Sequence, residues 1–186
     1  MGAAVHVLVS LGLVRTSHGV GTFVTAPGHQ ASLLNYAWRE ASLGELAMVR
    51  AAIDERAPAL FAGRMGRPPV AVTTSAISDL NFFAVERSAQ RHGSAEQFVA
   101  ADLAFHATIL NGLQGIEIGR VLYERIGERL RPTLEAAAPD VVELEELDRA
   151  HRALAHAVAE GDLPRAMRTS RFVARCELHS TNVALG

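Results

Sequence analysis

Between Ala101 and Ile109 the chain reads Ala-Asp-Leu-Ala-Phe-His-Ala-Thr-Ile, and this stretch most constrains what the chain can fold into. Phe98, Phe105 and Ile109 recur at helical spacing and mark an apolar stripe. Asp102 falls close to the centre of that stripe and His106 at its edge. Their spacing puts a carboxylate and an imidazole side by side on adjacent helical turns. Polar groups on a core-facing surface need partners, because unpaired burial is costly. The fold must therefore bring a hydrogen-bond partner, a metal ion or a bound ligand into a helical core. The plain alternative is that the two residues satisfy each other.

The same pattern recurs twice. The segment Leu43 to Ala62 reads as a helix with Leu46, Val49, Ile53, Ala57 and Leu60 on one face, and Arg50 lies near the middle of that face. A guanidinium there wants an anion, either an acid of the core or a carboxylate ligand. Pro58 is expected to kink or end this helix. A later helix, opened by Pro139 and Asp140 and running to Glu160, carries the stripe Leu144, Leu147, Leu154 and Val158. His151 falls on that stripe, whereas His156 falls on the opposite, solvated face. Two helices thus each place a histidine on their apolar side, which favours one shared internal site.

The remaining helices are more ordinary. One runs from about Ser75 to Arg91 with Leu80, Phe83 and Val85 as expected core. Ser94 with Gln97 forms a capping box for the Asp102 helix. Gly112 and Gly115 break the pattern before a helix from Ile116 to Leu134, with Ile118, Val121, Leu122, Ile126 and Leu130 apolar. Arg120, Arg125, Arg129 and Arg131 interleave with Glu124 and Glu128 and read as a solvated face. The last helix runs from about Pro164 to Thr181. A net charge of -2 and a pI near 6.4 exclude a chain that mostly contacts nucleic acid, although a local patch remains open. Cys176 is the only cysteine, so an internal disulfide and a cysteine zinc site are both excluded. No apolar run is long enough to span a bilayer, and no basic segment precedes Leu13 as a secretory leader requires. A cytoplasmic location without membrane partners is the expectation.

The first residues read differently. Val5, Leu8, Val9 and Leu11 suggest a short apolar helix stopped by Gly12. Leu13-Val14 begin an extended piece, His18-Gly19-Val20-Gly21 is a turn, and Thr22-Phe23-Val24 is a second strand. This order is similar to the last half of a winged helix-turn-helix. Gly12-Leu13-Val14 followed by Gly19-Val20-Gly21-Thr22-Phe23-Val24 resembles the end of the GntR-family DNA-binding domain. The resemblance implies that the chain starts inside the recognition helix, with Met1-Gly2-Ala3-Ala4 where the family places Arg and polar residues. His6, Arg15 and His18 are then the DNA-contacting candidates, and DNA binding is expected to be impaired. Ala26 to Gln30 reads as a linker. The expected organisation is a partial winged segment over 1–26, a linker over 27–42 and a helical domain over 43–182.

The helical part resembles the FCD effector-binding domain of FadR-type GntR regulators, through Val49-Arg50, through Asp102-Leu-Ala-Phe-His106, and through His151-Arg152-Ala153 leading to Gly161-Asp162. The resemblance implies a mainly α fold, an antiparallel helical bundle behind a small β-hairpin wing. It also implies a divalent metal (Zn, Ni or Mn) held by an Asp and three His, here Asp102, His106 and His151. The third His position is occupied by Val173. Glu177, one turn on along the same face, could supply an oxygen instead; His179 lies roughly 240° around the helix from Val173. A metal-free pocket using the same residues is the alternative. The implied function is non-enzymatic: a homodimeric DNA-binding transcriptional regulator that meets operator DNA and binds a small carboxylate effector through Arg50. Two other readings remain. One is an effector-binding and dimerisation module without DNA binding; the other is a metallohydrolase with Zn on Asp102, His106 and His151.

Overall fold

The computed structural model describes Val9 and residues 14–17, 19–24, 37–64, 74–90, 93–113, 116–137 and 141–185. It divides into two compact units, Met1–Ser42 and Leu43–Gly186.

In the first unit, β1 (Val14–Ser17) pairs antiparallel with β2 (Gly21–Val24), with Val14 opposite Val24 and Ser17 opposite Gly21. The Val20 N–H closes the hairpin by donating to the Ser17 carbonyl at 3.1 Å. Arg15 stands across the ladder from Phe23, its guanidinium 5.1 Å from the ring centroid. The short helix expected near Val5 to Leu11 (Val9 apart), His6, His18 and the linker at Ala26 to Gln30 lie outside the described residues.

The second unit is an antiparallel helical bundle: α1 (Leu43–Arg64), α2 (Thr74–Gln90), α3 (Ala95–Asn111), α4 (Glu117–Ala136), α5 (Val141–Glu160) and α6 (Leu163–Leu185). Local signals set several boundaries. Ser94 and Gln97 form the reciprocal capping box at the start of α3. A Cβ at Gly112, after the end of α3, would collide with the Phe61 ring, so only glycine lets that turn approach α1. Gly161 ends α5 at φ 70°, where glycine carries no steric penalty, and Asp162 then caps α6 by accepting the Arg165 N–H at 3.0 Å.

Three expected faces are rotated. On α1, Val49 and Leu60 are each 41% exposed, and the buried row is Leu46, Arg50, Asp54, Ala57 and Phe61. On α2, Val85 is exposed and the buried row is Ala76, Leu80, Ala84 and Arg87. On α4, Ile118 and Val121 are exposed, while Tyr123, Ile126 and Leu130 are buried. On α1 and α2 the cause is the same: the inward face is partly charged, so a stripe drawn through apolar residues alone turns towards solvent. Pro58 does not end α1, which continues to Arg64. Burial of Ala59, Phe61 and Ala62 beyond it offsets the one helical hydrogen bond that proline removes.

The bundle interior has two halves. One is apolar, with Phe61, Leu80, Ile109, Leu113, Leu154 and Val158 fully or nearly fully buried. The other holds Arg50, Asp54, Arg87, Asp102, His106, Asp148 and His151, all buried as well. α1, α3 and α5 run from the charged half into the apolar half; α2 and α6 run the opposite way.

Candidate metal and effector site

The charged half is one connected cluster. Arg50 Nη2 donates to Asp102 Oδ2 at 2.8 Å and to Glu177 Oε2 at 3.2 Å. Its Nε donates to the Tyr123 hydroxyl at 3.2 Å and lies 3.2 Å from Asp54 Oδ2. Arg87 Nε donates to Asp102 Oδ1 at 2.5 Å and its Nη1 to Asp148 Oδ1 at 2.5 Å, while its guanidinium stacks 4.6 Å from the Phe98 ring centroid. Every carboxylate of the cluster is therefore paired with a guanidinium, as buried charges must be.

The two histidines face one another. His106 Nε2 and His151 Nε2 are 3.2 Å apart, and Glu177 Oε1 lies 3.3 Å from the first and 3.2 Å from the second. Asp102 Oδ1 is 3.6 Å from His151 Nε2. Each of these four residues offers a ligand atom within 4.8 Å of the others. Phe105 presses edge-on against both rings, at 5.2 Å and 5.0 Å, and closes the apolar side. His151 Nδ1 donates to the Leu147 carbonyl at 2.8 Å, so a neutral ring turns the lone pair of Nε2 into the cluster. His106 Nδ1 lies 3.1 Å from Asp54 Oδ1 without hydrogen-bond alignment, and a carboxylate in that position orients a ligating histidine.

The electrostatics follow from this packing. Burial lowers the pKa of both imidazoles. For His106 the carboxylates of Asp54 and Glu177 outweigh it and push the pKa up to about 10. For His151 burial and the Arg87 charge prevail, and its pKa falls. Burial raises the Asp102 carboxyl and Glu177 pushes the same way, yet Arg87, Arg50 and His106 hold it below its ordinary value. Burial likewise raises Glu177, and His106 and Arg50 bring it well below.

The donor set fits a divalent cation. Four carboxylates (Asp54, Asp102, Asp148 and Glu177) face two guanidiniums (Arg50 and Arg87), which leaves a formal charge of -2 with both imidazoles neutral. His106 Nε2, His151 Nε2 and Glu177 Oε1 meet near 3.2 Å, and three such electron-rich atoms need a proton or a cation between them. A proton on His106 leaves -1, whereas a divalent ion neutralises the cluster. Beside it lies a cavity of about 40 Å³ lined by Arg50, Arg87, Asp102, Glu177, Ser180 and Thr181 together with apolar side chains.

The structure brings Arg50, Asp102, His106 and His151 together with Glu177, the oxygen donor considered in the sequence. Arg15 belongs to the other unit, and His156 is exposed near Glu160. Val173 is fully buried and apolar, and His179 lies on the exposed side of α6. The sequence reading missed Asp54, Arg87 and Asp148. A signal for each was present: Asp54 is one turn from Arg50, Arg87 continues the Leu80–Ala84 row, and Asp148 is one turn before His151.

An antiparallel bundle with buried histidines and carboxylates gathered inside it, beside an arginine-lined recess, defines the class of α-helical domain. The chain belongs to the FCD domain family, whose sequence model matches residues 45–173. The fold is similar to that of Streptococcus agalactiae GntR, with a TM-score of 0.59 and 16% identity over 95% of this chain and 79% of that chain. No curated protein shows a significant match. Among the described residues no helix is long and apolar enough to cross a membrane.

Proposed function

We propose that this chain is a cytoplasmic, homodimeric transcriptional regulator whose helical domain holds a divalent metal and a small carboxylate effector. The carrying observation is the buried meeting of His106 Nε2, His151 Nε2 and Glu177 Oε1 near 3.2 Å, in a cluster with more carboxylates than guanidiniums, next to a cavity lined by Arg50 and Arg87. When bound, the metal (Zn, Ni or Mn) supplies a Lewis-acidic point for an effector oxygen. Asp102, His106 and His151 hold it, and Arg50 orients the effector carboxylate. The cavity of about 40 Å³ has room for about three waters, at about 10–15 Å³ each, which suits a carboxylate head group.

Binding is favoured over turnover. Each carboxylate of the cluster is already ion-paired with an arginine, which leaves none poised as a general base. The hairpin unit contacts operator DNA through Arg15, with His6 and His18 completing the polar set, and effector and DNA affinities are linked.

The test is metal content of the purified chain, a thermal-shift screen of small carboxylates, and a gel shift on candidate operator DNA with and without the best acid. One metal per chain, lost in His151→Ala, together with stabilisation by an acid that also changes the gel shift, is the expected result. No metal and no stabilisation by any acid would sink it. Effector binding without DNA binding would leave an effector-binding, dimer-forming module instead.

A further inference from the structure

The cluster contains a tighter group within it. His106 Nε2, His151 Nε2 and Glu177 Oε1 form a nearly equilateral triangle with sides of 3.2, 3.2 and 3.3 Å. Metal–ligand bonds of about 2.0 to 2.2 Å set adjacent donors about 2.8 to 3.6 Å apart, from octahedral to tetrahedral geometry. The triangle is therefore one face of a coordination shell. Glu177 Oε2 is engaged by Arg50 at 3.2 Å, so Glu177 can offer the ion only one oxygen, Oε1. Asp102 is placed differently. Both of its oxygens accept from guanidiniums, at 2.8 and 2.5 Å, and it stands 3.6 Å from His151 Nε2. A carboxylate whose lone pairs are drawn towards two arginines is the weaker donor. Val173, one turn earlier on α6, has no donor atom, and Glu177 lies beyond the span matched by the family.

We infer that the metal site of this chain is built on His106, His151 and Glu177, with Asp102 as the fourth and weakest ligand. This rests on the metal-binding reading above. The donor set has two nitrogens and two oxygens. Carboxylate oxygen suits Mn(II), whereas imidazole suits Zn and Ni, so exchanging an imidazole for a carboxylate raises affinity for Mn(II) relative to Zn(II). Two histidines and one carboxylate on a single face leave the remaining positions for Asp102 and an effector oxygen.

The experiment uses the metal-free full chain. Mn(II) binding is read from loss of the free-ion electron paramagnetic resonance signal, and Zn(II) binding from competition with a chromogenic chelator. The variants are Glu177→Gln, Glu177→Asp, and Val173→His combined with Glu177→Ala. Circular dichroism and the melting temperature of each metal-free variant separate ligand loss from unfolding. Glu177→Gln should weaken Mn(II) binding about tenfold or more. Glu177→Asp keeps the charge facing Arg50 but withdraws the carboxylate by about 1.5 Å, one carbon–carbon bond, and should weaken it likewise. The double variant should bind, with its preference shifted about tenfold towards Zn(II). Wild-type Mn(II) affinity in a folded Glu177→Gln or Glu177→Asp would overturn this ligand assignment and leave the metal reading intact. A wild-type chain that binds neither Mn(II), Zn(II) nor Ni(II) would overturn both.

Discussion

The two halves of the bundle interior are equally buried and differ in what holds them. In the apolar half Phe61, Ile109, Leu154 and Val158 are at most 1% exposed, and any neighbour of similar shape would serve them. In the charged half Arg87, at 1% exposed, and His151, at 0%, are just as deeply buried, yet each needs one particular partner at one distance. Equal burial thus produces tolerance at one end and strict specification at the other. A half built from paired charges is seldom the stabler choice, because well-packed apolar residues of the same volume often do as well or better. Its retention beside a cavity is what a binding site would require.

The sharpest way to break this contrast is Arg87→Ala, which takes a guanidinium partner from Asp148 and from one oxygen of Asp102. Removing one partner of a buried ion pair costs about 3–5 kcal/mol, and urea denaturation should register that loss. A loss below about 1 kcal/mol would mean that water reaches the cluster readily. In the apolar half, Leu154→Ala should cost about 3 kcal/mol by leaving a cavity, with metal affinity unchanged. A parallel drop in metal affinity would show that the halves are not separate.

Next in size is the metal itself. At a free concentration about a hundred times its Kd, a divalent ion should add about 2.7 kcal/mol of stability, seen as a raised melting temperature. His151→Ala should remove that increment. The smallest effect is expected outside both halves. The Arg120–Glu124 pair on α4 is 40% and 49% exposed, so Arg120→Ala should change stability by less than about 0.5 kcal/mol in the same titration. A larger effect would mean that this face is covered in solution.

Much of this was legible in the sequence. The helices, the capping box at Ser94 and the turn at Gly161 follow from local rules, and the structure reproduces them. Asp102, His106, His151 and Arg50 declared themselves because each is polar on an otherwise apolar row. Arg87 and Asp54 escaped for the opposite reason. Their rows on α2 and α1 were drawn through Val85 and Val49, both exposed, so two inward-facing charges were passed over. Ile118 misled in the same direction on α4.

The sequence by itself determined roughly where most helices lie, which family the chain belongs to, and which histidines face inward, because caps, glycines and the helical repeat act over a few residues. Tertiary structure alone decided which acid answers which base. Arg50 meets Asp102 and Glu177 from helices far along the chain, and Arg87 meets Asp148 from another. Such pairings depend on the rotation and offset of helices that touch only after folding. No local pattern encodes the 3.2 Å at which the two imidazoles come to face each other.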